Sequence, residues 1–520
     1  MIQIADNIPG TINIYSFETQ DPQVYRSTTV CTGNLKTEGN VILHPQPSDS
    51  PNDPLNFSVW KKRWHFVLLS IITAFTAAIA NCAESTHGSL GGKLGISYKT
   101  LDIGSAALFF GTGYSTWFLA PLSSLYGHRV TYILCISMGL IGSLWFSVSK
   151  KSTDIIWSQL FIGISGSCAE AHVQLSLSEL FYCHQLGSVL TVYILATSIG
   201  TYLGPLIAHI ISSNQSFRWV GWYSTIISFL LLILICFTMD ETYFERYNNE
   251  EGKKENNQLK SYRERMKLIT KASNIQNLGM NEYFQRLFNM LRVFWFPAVV
   301  VSGLVWGVQD AFLTFYLTSA NIYMYKEPFN FSDMAVSLIN IPCLIGATLG
   351  CIYAGSLSDY FAIFLAKKRN GIQEAEYRLY FIFLSAIISP IGLVMFGFGV
   401  TDNNLGCIYI GLGFIGFGFG SLGDITMSYL MDSYPAMVLE GMVGVSVINN
   451  TIGCISTFVC SPMLEKMGNQ KVYIILAIID IIITILAASM IIYGKRCRNW
   501  TKEWYYKYLM IREMNGKSMS

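Results

Sequence analysis

Apolar runs of about 20 residues recur along this chain between short polar breaks, and that is the length a helix needs to cross the hydrocarbon core of a bilayer. Twelve runs are legible, at 64–84, 101–122, 130–149, 154–177, 185–211, 217–239, 296–320, 332–355, 378–399, 405–431, 437–460 and 471–493. One break differs in kind: 240–295 is long and charged, from Glu250 to Lys254 and again from Arg263 to Lys267, with six runs on either side. The pattern predicts an all-α integral membrane protein of twelve transmembrane helices in two six-helix halves. Its parts are an N-terminal segment 1–63, a first half 64–239, a central loop 240–295, a second half 296–493 and a tail 494–520. The N-terminal segment is polar, and no signal peptide is legible there, so the first apolar run is expected to enter the membrane itself.

Composition agrees with the pattern. The 520 residues are 52% hydrophobic and 13% charged, against about a quarter charged in soluble domains. A net charge of +2 leaves no basic footprint for nucleic acid. Basic residues sit unevenly: with the N-terminus in the cytoplasm, all fall on the cytoplasmic side except Lys93, Lys99, Lys150, Lys151, Arg218, Lys326, Lys466 and Lys471. The positive-inside rule then puts both termini and the central loop in the cytoplasm. The cysteines lie mostly in or beside apolar runs and contain no C-x-x-C pair, so they read as small buried hydrophobes and no metal site is expected.

Acidic residues inside the runs carry the chemistry. Glu170, Asp310, Asp424 and Asp480 lie within apolar segments, Glu84 and Glu440 near segment ends, and no Lys or Arg lies among them. A charge at bilayer depth costs about 2.5–3.5 kcal/mol on insertion scales, so such carboxylates are expected to bind protons, a cation, or each in turn. Helical spacing groups them with other residues. In the fourth run Gln159, Gly163, Gly166, Glu170 and Gln174 form one stripe, its glycines suited to close helix packing and its Glu to a cavity wall. In the seventh, Trp306, Asp310 and Thr314 share a face, with Gln309 and Tyr316 adjacent; an acid flanked by rings suits an organic ammonium ion through charge and cation–π contact. Tyr193, Thr197, Gly200 and Gly204 make a stripe before Pro205, a proline that can kink the helix between states.

Other positions stay open between two roles. Asp424, in a glycine-dense run, is a gate or cap, or else a substrate contact. Asn81 and Glu84 continue a stripe from Thr73 and Ala77, with Glu84 either catching cations at the mouth or simply solvated. Asn449 and Asn450 line the path or bond across helices. Asp480 reads as structural, and His172 as a packed histidine.

The halves carry a weak repeat: Ala120-Pro-Leu-Ser-Ser-Leu-Tyr-Gly-His-Arg129 follows the second run, and Gly355-Ser-Leu-Ser-Asp-Tyr-Phe361, with Asp359, follows the eighth. With Asp53-Pro-Leu-Asn-Phe57, Gly200-x-x-x-Gly204-Pro205 and Asp240-Glu-Thr-Tyr243, these residues resemble the major facilitator superfamily and, within it, the fungal twelve-span drug:proton antiporter group. Further blocks resemble the histidinol-permease, polyamine-transporting branch of that group: Pro9 to Tyr15, Ser167 to Ala171, Gln185 to Tyr193, Gln309 to Leu317, and Tyr429 to Asp432 with Val438 to Met442. The resemblance spans about 50–505 and implies a major facilitator fold. Two positions depart from it: Ser124-Leu125 stands where an Asp-Arg pair is usual, and Gln159 where Arg is usual. The gating charge network is therefore altered, and an Arg-based proton relay does not carry over.

No Walker loop, Gly-x-Ser-x-Gly or His-Glu-x-x-His motif occurs, so neither an enzyme nor ATP or cofactor use is expected. The expected function is secondary transport of a small organic cation in a lipid bilayer. The resemblance makes this proton-coupled polyamine (spermidine/putrescine) uptake at the plasma membrane, by alternating access. Glu170, Asp310, Trp306, Gln309, Tyr193, Tyr316, Asn81 and Asn449 are the candidate binding residues. Asp424, Gly200, Gly204, Pro205, Asp359 and Glu84 are the candidates for coupling or gating. A drug or toxic-cation exporter, or a non-transporting nutrient sensor, are the alternatives.

Overall fold

The computed structural model describes residues 8–13, 36–38, 41–43, 45–86, 95, 98–244, 260–268, 280–369 and 371–514. Twelve long helical runs follow the apolar pattern. In the first half they are α1 (Val59–Ser85), α2 (Tyr98–Tyr126), α3 (His128–Val148), α4 (residues 152–180), α5 (Cys183–Asn214) and α6 (Phe217–Thr238). In the second they are α7 (Pro297–Ser319), α8 (Met334–Lys368), α9 (Ile382–Thr401), α10 (Leu405–Ser433), α11 (Val438–Met467) and α12 (Asn469–Met514). Among the described residues, ten helices are long and apolar enough to cross a membrane by length and composition. The other two, α2 and α4, have Gly, Ser, Thr and Gln diluting their apolar runs, and a π turn at Cys168–His172 divides α4.

Packing repeats between the halves. In the first, α1 packs on α5, α2 on α4, and α3 on α4 and α6; in the second, α7 packs on α11, α8 on α10, and α9 on α10 and α12. Adding six to each number of the first set gives the second. The halves meet through α2 on α11 and α5 on α8, a pair exchanged by the same rule. The outer faces of α6, α9 and α12 expose Phe229, Phe237, Phe383, Ile387, Ile482, Ile485 and Ile492, the apolar surface that lipid requires.

Local chemistry sets the breaks. Gly127 sits at φ 97° between α2 and α3, a left-handed conformation open to glycine, and Glu241 accepts from the first-turn amides of His128 (2.9 Å) and Arg129 (3.3 Å) beyond it. Asp53 caps a short 3-10 turn before α1 by accepting from Leu55 N at 3.0 Å. Lys61, one turn into α1, lies over the Phe57 ring and pairs with Asp240 at 2.5 Å. The pre-membrane and span-6 exit signatures are thus one clasp at the end of the bundle that carries the central segment, called here the loop side.

Short strands lie on that side as well: β1 (Thr11–Asn13), β2 (Thr37–Glu38), β3 (Val41–Ile42) and β4 (Ile372–Glu374). β2 pairs with β3, and β1 pairs antiparallel with β4, Thr11 opposite Glu374. Helix α12 continues unbroken from the twelfth apolar run into the expected tail, as far as Met514. Its Arg498 is fully buried and bonds Glu374 (2.9 Å) and Glu376 (2.5 Å). Arg498 also reaches the Pro9 carbonyl. Three charged or polar anchors from two regions of the chain explain why the helix persists beyond the last apolar turn.

Candidate functional site

A cavity of about 100 Å³ lies between the halves. Its first-half wall is built by Thr73, Thr76, Ala77 and Asn81 of α1, Phe109 and Thr112 of α2, Gly166 and Glu170 of α4, and Tyr193, Thr197 and Thr201 of α5. Its second-half wall is built by Trp306, Asp310, Leu313 and Thr314 of α7, Phe419 of α10 and Asn450 of α11. Among the described residues, no Lys, Arg or His lines it. The stripes expected on α1 and α7 therefore face the cavity: Thr73, Ala77 and Asn81 on one, Trp306, Asp310 and Thr314 on the other.

Each half supplies one carboxylate. Glu170 sits in the π turn, where the widened backbone shifts the helical register, a device common at functional sites. Tyr193 donates to the Ala169 carbonyl in the same turn at 2.9 Å, so ring and acid are positioned together. Glu170 faces Ser446, Asn449 and Asn450 of α11, and Asp310 is close enough for the two charges to interact. Asn449 is the linking amide: oriented to satisfy both neighbours, it donates to Asp310 Oδ2 at 3.3 Å and accepts from Trp306 Nε1 at 3.2 Å. Trp306 and Phe419 pack with centroids 4.7 Å apart, and Gly423 leaves the space the indole occupies. The result is a pair of acids with aromatic walls and, among the described residues that line the cavity, no basic counterion.

The remaining candidates lie elsewhere. Gln309 turns away from the cavity and donates to Asp480 at 2.9 Å inside the second half. Tyr316 is fully buried and donates to Asn340 at 2.7 Å; one step of 100° along α7 from a lining residue is enough to take a side chain off the wall. Within the α4 stripe Gly163 packs against the Leu108 backbone, and Gln174, beyond the π turn, donates to Met427 Sδ at 3.5 Å. Gly200 and Gly204 bring α5 onto Ala74 and Ala78 of α1, and Pro205 follows within α5. Glu84 ends α1, and its side chain lies outside the described residues. His172 is fully buried.

Asp359 and Asp424 close the loop side. Ser188 of α5 donates to Asp359 Oδ2 at 3.0 Å, and Thr191, one turn on, donates to Asp424 Oδ2 at 3.0 Å. Arg378 holds Asp359 and, at 2.5 Å, Asp432. Gly187 and Gly355 make the approach possible, since a Cβ at either would collide with Asp359 or Thr191. The residue blocks 185–193 and 355–361, noted separately in the sequence, are the two faces of this contact. Sequence reasoning missed Phe109, Thr112, Thr201 and Phe419 on the wall; Phe419 is one of three rings, with Phe414 and Phe417, among the glycines of α10, so composition did not single it out.

Two six-helix bundles, related by a repeat and enclosing at their interface a cavity with one acid from each, define a secondary transporter. The chain belongs to the Major Facilitator Superfamily, which it matches over residues 65–461. It is a multi-pass membrane transporter and not an enzyme. It is 47% identical to Protein HOL1 of Saccharomyces cerevisiae, with 98% of each chain covered. It is 43% identical to an uncharacterized MFS-type transporter of Schizosaccharomyces pombe, covering 98% of this chain and 95% of that one. Among solved structures, the proton:xylose symporter XylE shares the fold at TM-score 0.60 and 12% identity, covering 84% of this chain and 96% of that one. These matches support a transporter over a nutrient sensor.

Proposed function

We propose that this transporter takes up linear organic polycations, with polyamines such as spermidine and putrescine as the substrate class, coupled to protons, at the plasma membrane with both termini cytoplasmic. The observation that carries the reading is the pairing of Glu170 and Asp310 across one cavity that no basic residue lines. Two half-buried acids facing one cavity without a counterion among its lining residues are balanced by a cation or by protons. A diamine offers one ammonium group to each half, and the rings of Tyr193, Trp306 and Phe419 favour the charge and the methylene chain together. Protons that bind to and leave these carboxylates during the transport cycle give the coupling. The asymmetry of basic residues along the sequence supports the orientation.

The test is uptake of labelled spermidine in a polyamine-auxotrophic host. Wild type is expected to support uptake, and Glu170→Gln and Asp310→Asn to abolish it with protein levels unchanged. Normal transport by either variant overturns the site. Resistance to toxic cations without uptake assigns the chain to the exporters, a direction that Gly200, Gly204 and Pro205 favour by resemblance.

A further inference from the structure

Behind the α7 wall, away from the cavity, Asp480 of α12, Gln309 of α7 and Ser389 of α9 meet beside Gly418 of α10. All three side chains are at least 98% buried. Gln309 Nε2 donates to Asp480 Oδ1 at 2.9 Å. Asp480 Oδ2, Gln309 Oε1 and Ser389 Oγ are each left without a partner. They are neighbours: Ser389 faces Asp480, and a Cβ on Gly418 would lie 2.5 Å from Ser389 Oγ and 3.1 Å from Gln309 Oε1. Helices α7, α9 and α10 contain no Lys, Arg or His. Their acids are engaged elsewhere, Asp310 with Asn449 on the cavity, Asp424 with Thr191 and Asp432 with Arg378. No charged group of these helices faces Asp480.

Counting donors decides the state of this cluster. With Asp480 ionised, the Ser389 hydroxyl is the protein donor available to two waiting acceptors, Asp480 Oδ2 and Gln309 Oε1, and one stays without a protein partner. One added proton closes the ring. Asp480 Oδ2–H donates to Ser389 Oγ, Ser389 O–H donates to Gln309 Oε1, and Gln309 Nε2–H donates to Asp480 Oδ1. We propose that Asp480, Ser389 and Gln309 form a proton-binding site of the second half, separate from the substrate cavity and loaded in this conformation. Gln309 precedes Asp310 on α7, so a movement of α7 that reorients the cavity acid also pulls Gln309 from Asp480 and opens the ring. Proton release there is thereby tied to the state of the substrate site. This coupling step rests on the proton-coupled reading above; the site itself does not.

Asp480→Asn tests both, because its amide donates where the acid proton would and leaves the ring intact in the folded protein. In the full chain, purified in lipid at neutral pH, the infrared difference between wild type and the variant is expected to show the C=O stretch of a protonated carboxyl. A carboxylate band in its place overturns the site. In liposomes, Asp480→Asn is expected to lose about tenfold of the spermidine uptake driven by an imposed pH gradient and to keep exchange of labelled for unlabelled spermidine within about twofold. Gradient-driven uptake equal to wild type, loss of exchange together with uptake, or wild-type uptake driven by a sodium gradient overturns the coupling role. Absence of any wild-type spermidine uptake defeats the proposed function, and the infrared result still decides the state of Asp480.

Discussion

Thr191 on α5 donates to Asp424 on α10 at 3.0 Å, a hydrogen bond that runs from one half of the transporter to the other. It lies one turn from Ser188 and its bond to Asp359, so the loop side is fastened at two successive turns of one helix. A buried bond of this kind is worth about 1–3 kcal/mol. Thr191→Val is expected to shift the balance toward the loop-side-open state by roughly tenfold or more. Hydrogen exchange at the amides of the loop-side ends of α5 and α10 reads the shift directly. Exchange unchanged from wild type would show that the fastening lies elsewhere.

Asn449 sets both the acid and the indole of the second-half wall. Asn449→Ala removes a donor to Asp310 and an acceptor for Trp306 Nε1, so the apparent affinity for labelled spermidine is expected to fall by about 5- to 30-fold, equivalent to 1–2 kcal/mol. Asn214→Ala is the control, since that exposed amide lies away from the cavity and donates to its own helix at Ile210 O. The two variants are distinguished by half-saturation in uptake; equal effects would refute the positioning role of Asn449.

Glycines in this bundle are not equivalent. A methyl group on Gly200 would collide with the Ala74 carbonyl of α1, whereas Gly413 has nothing nearer than 3.7 Å. Gly200→Ala is expected to destabilise the protein by about 1–3 kcal/mol, and Gly413→Ala to be neutral or slightly stabilising. Thermal unfolding in detergent separates them, and a Gly200→Ala melting point at or above that of Gly413→Ala contradicts the packing.

Glu374 gives the loop side a dependence on acid. Burial opposes its ionisation, but Lys495, Arg498 and Thr11 bond the carboxylate and hold it below the usual glutamate value of 4.5. A lowered value in the folded state means a stabilising contribution that is complete above about pH 4.5 and lost as pH falls through the lowered value. Glu374→Gln is therefore expected to melt below wild type at neutral pH and to converge with it in acid. Melting curves that stay parallel at every pH would remove Glu374 from the clamp.

The twelve helices were legible because lipid demands long apolar runs, and membrane acids are legible because burying charge is costly. Glu170 and Asp310 were legible as membrane acids, Trp306 and Asn81 by helical spacing, and all four line the cavity. Tyr316 and Gln309, named as candidates beside Asp310, do not line it, because one residue step rotates a side chain off the wall. The π turn under Glu170 left no periodic signal, since one widened turn is shorter than any window that measures helical repeat. The bonds of Asp359 and Asp424 to α5 depend on how two halves meet, which no pattern within either half encodes.

The pairing of β1 with β4 has a consequence for the integrity of the molecule. Thr11 to Asn13 precede the first half along the chain, yet they sit as a strand on the second, fixed by Thr11 and Arg498 to Glu374. The halves are therefore joined twice, once through the central segment and once through the chain that leads from β1 into α1. A protease that cuts only between 240 and 295 leaves a nicked but undivided particle, its two fragments still laced together at the loop side.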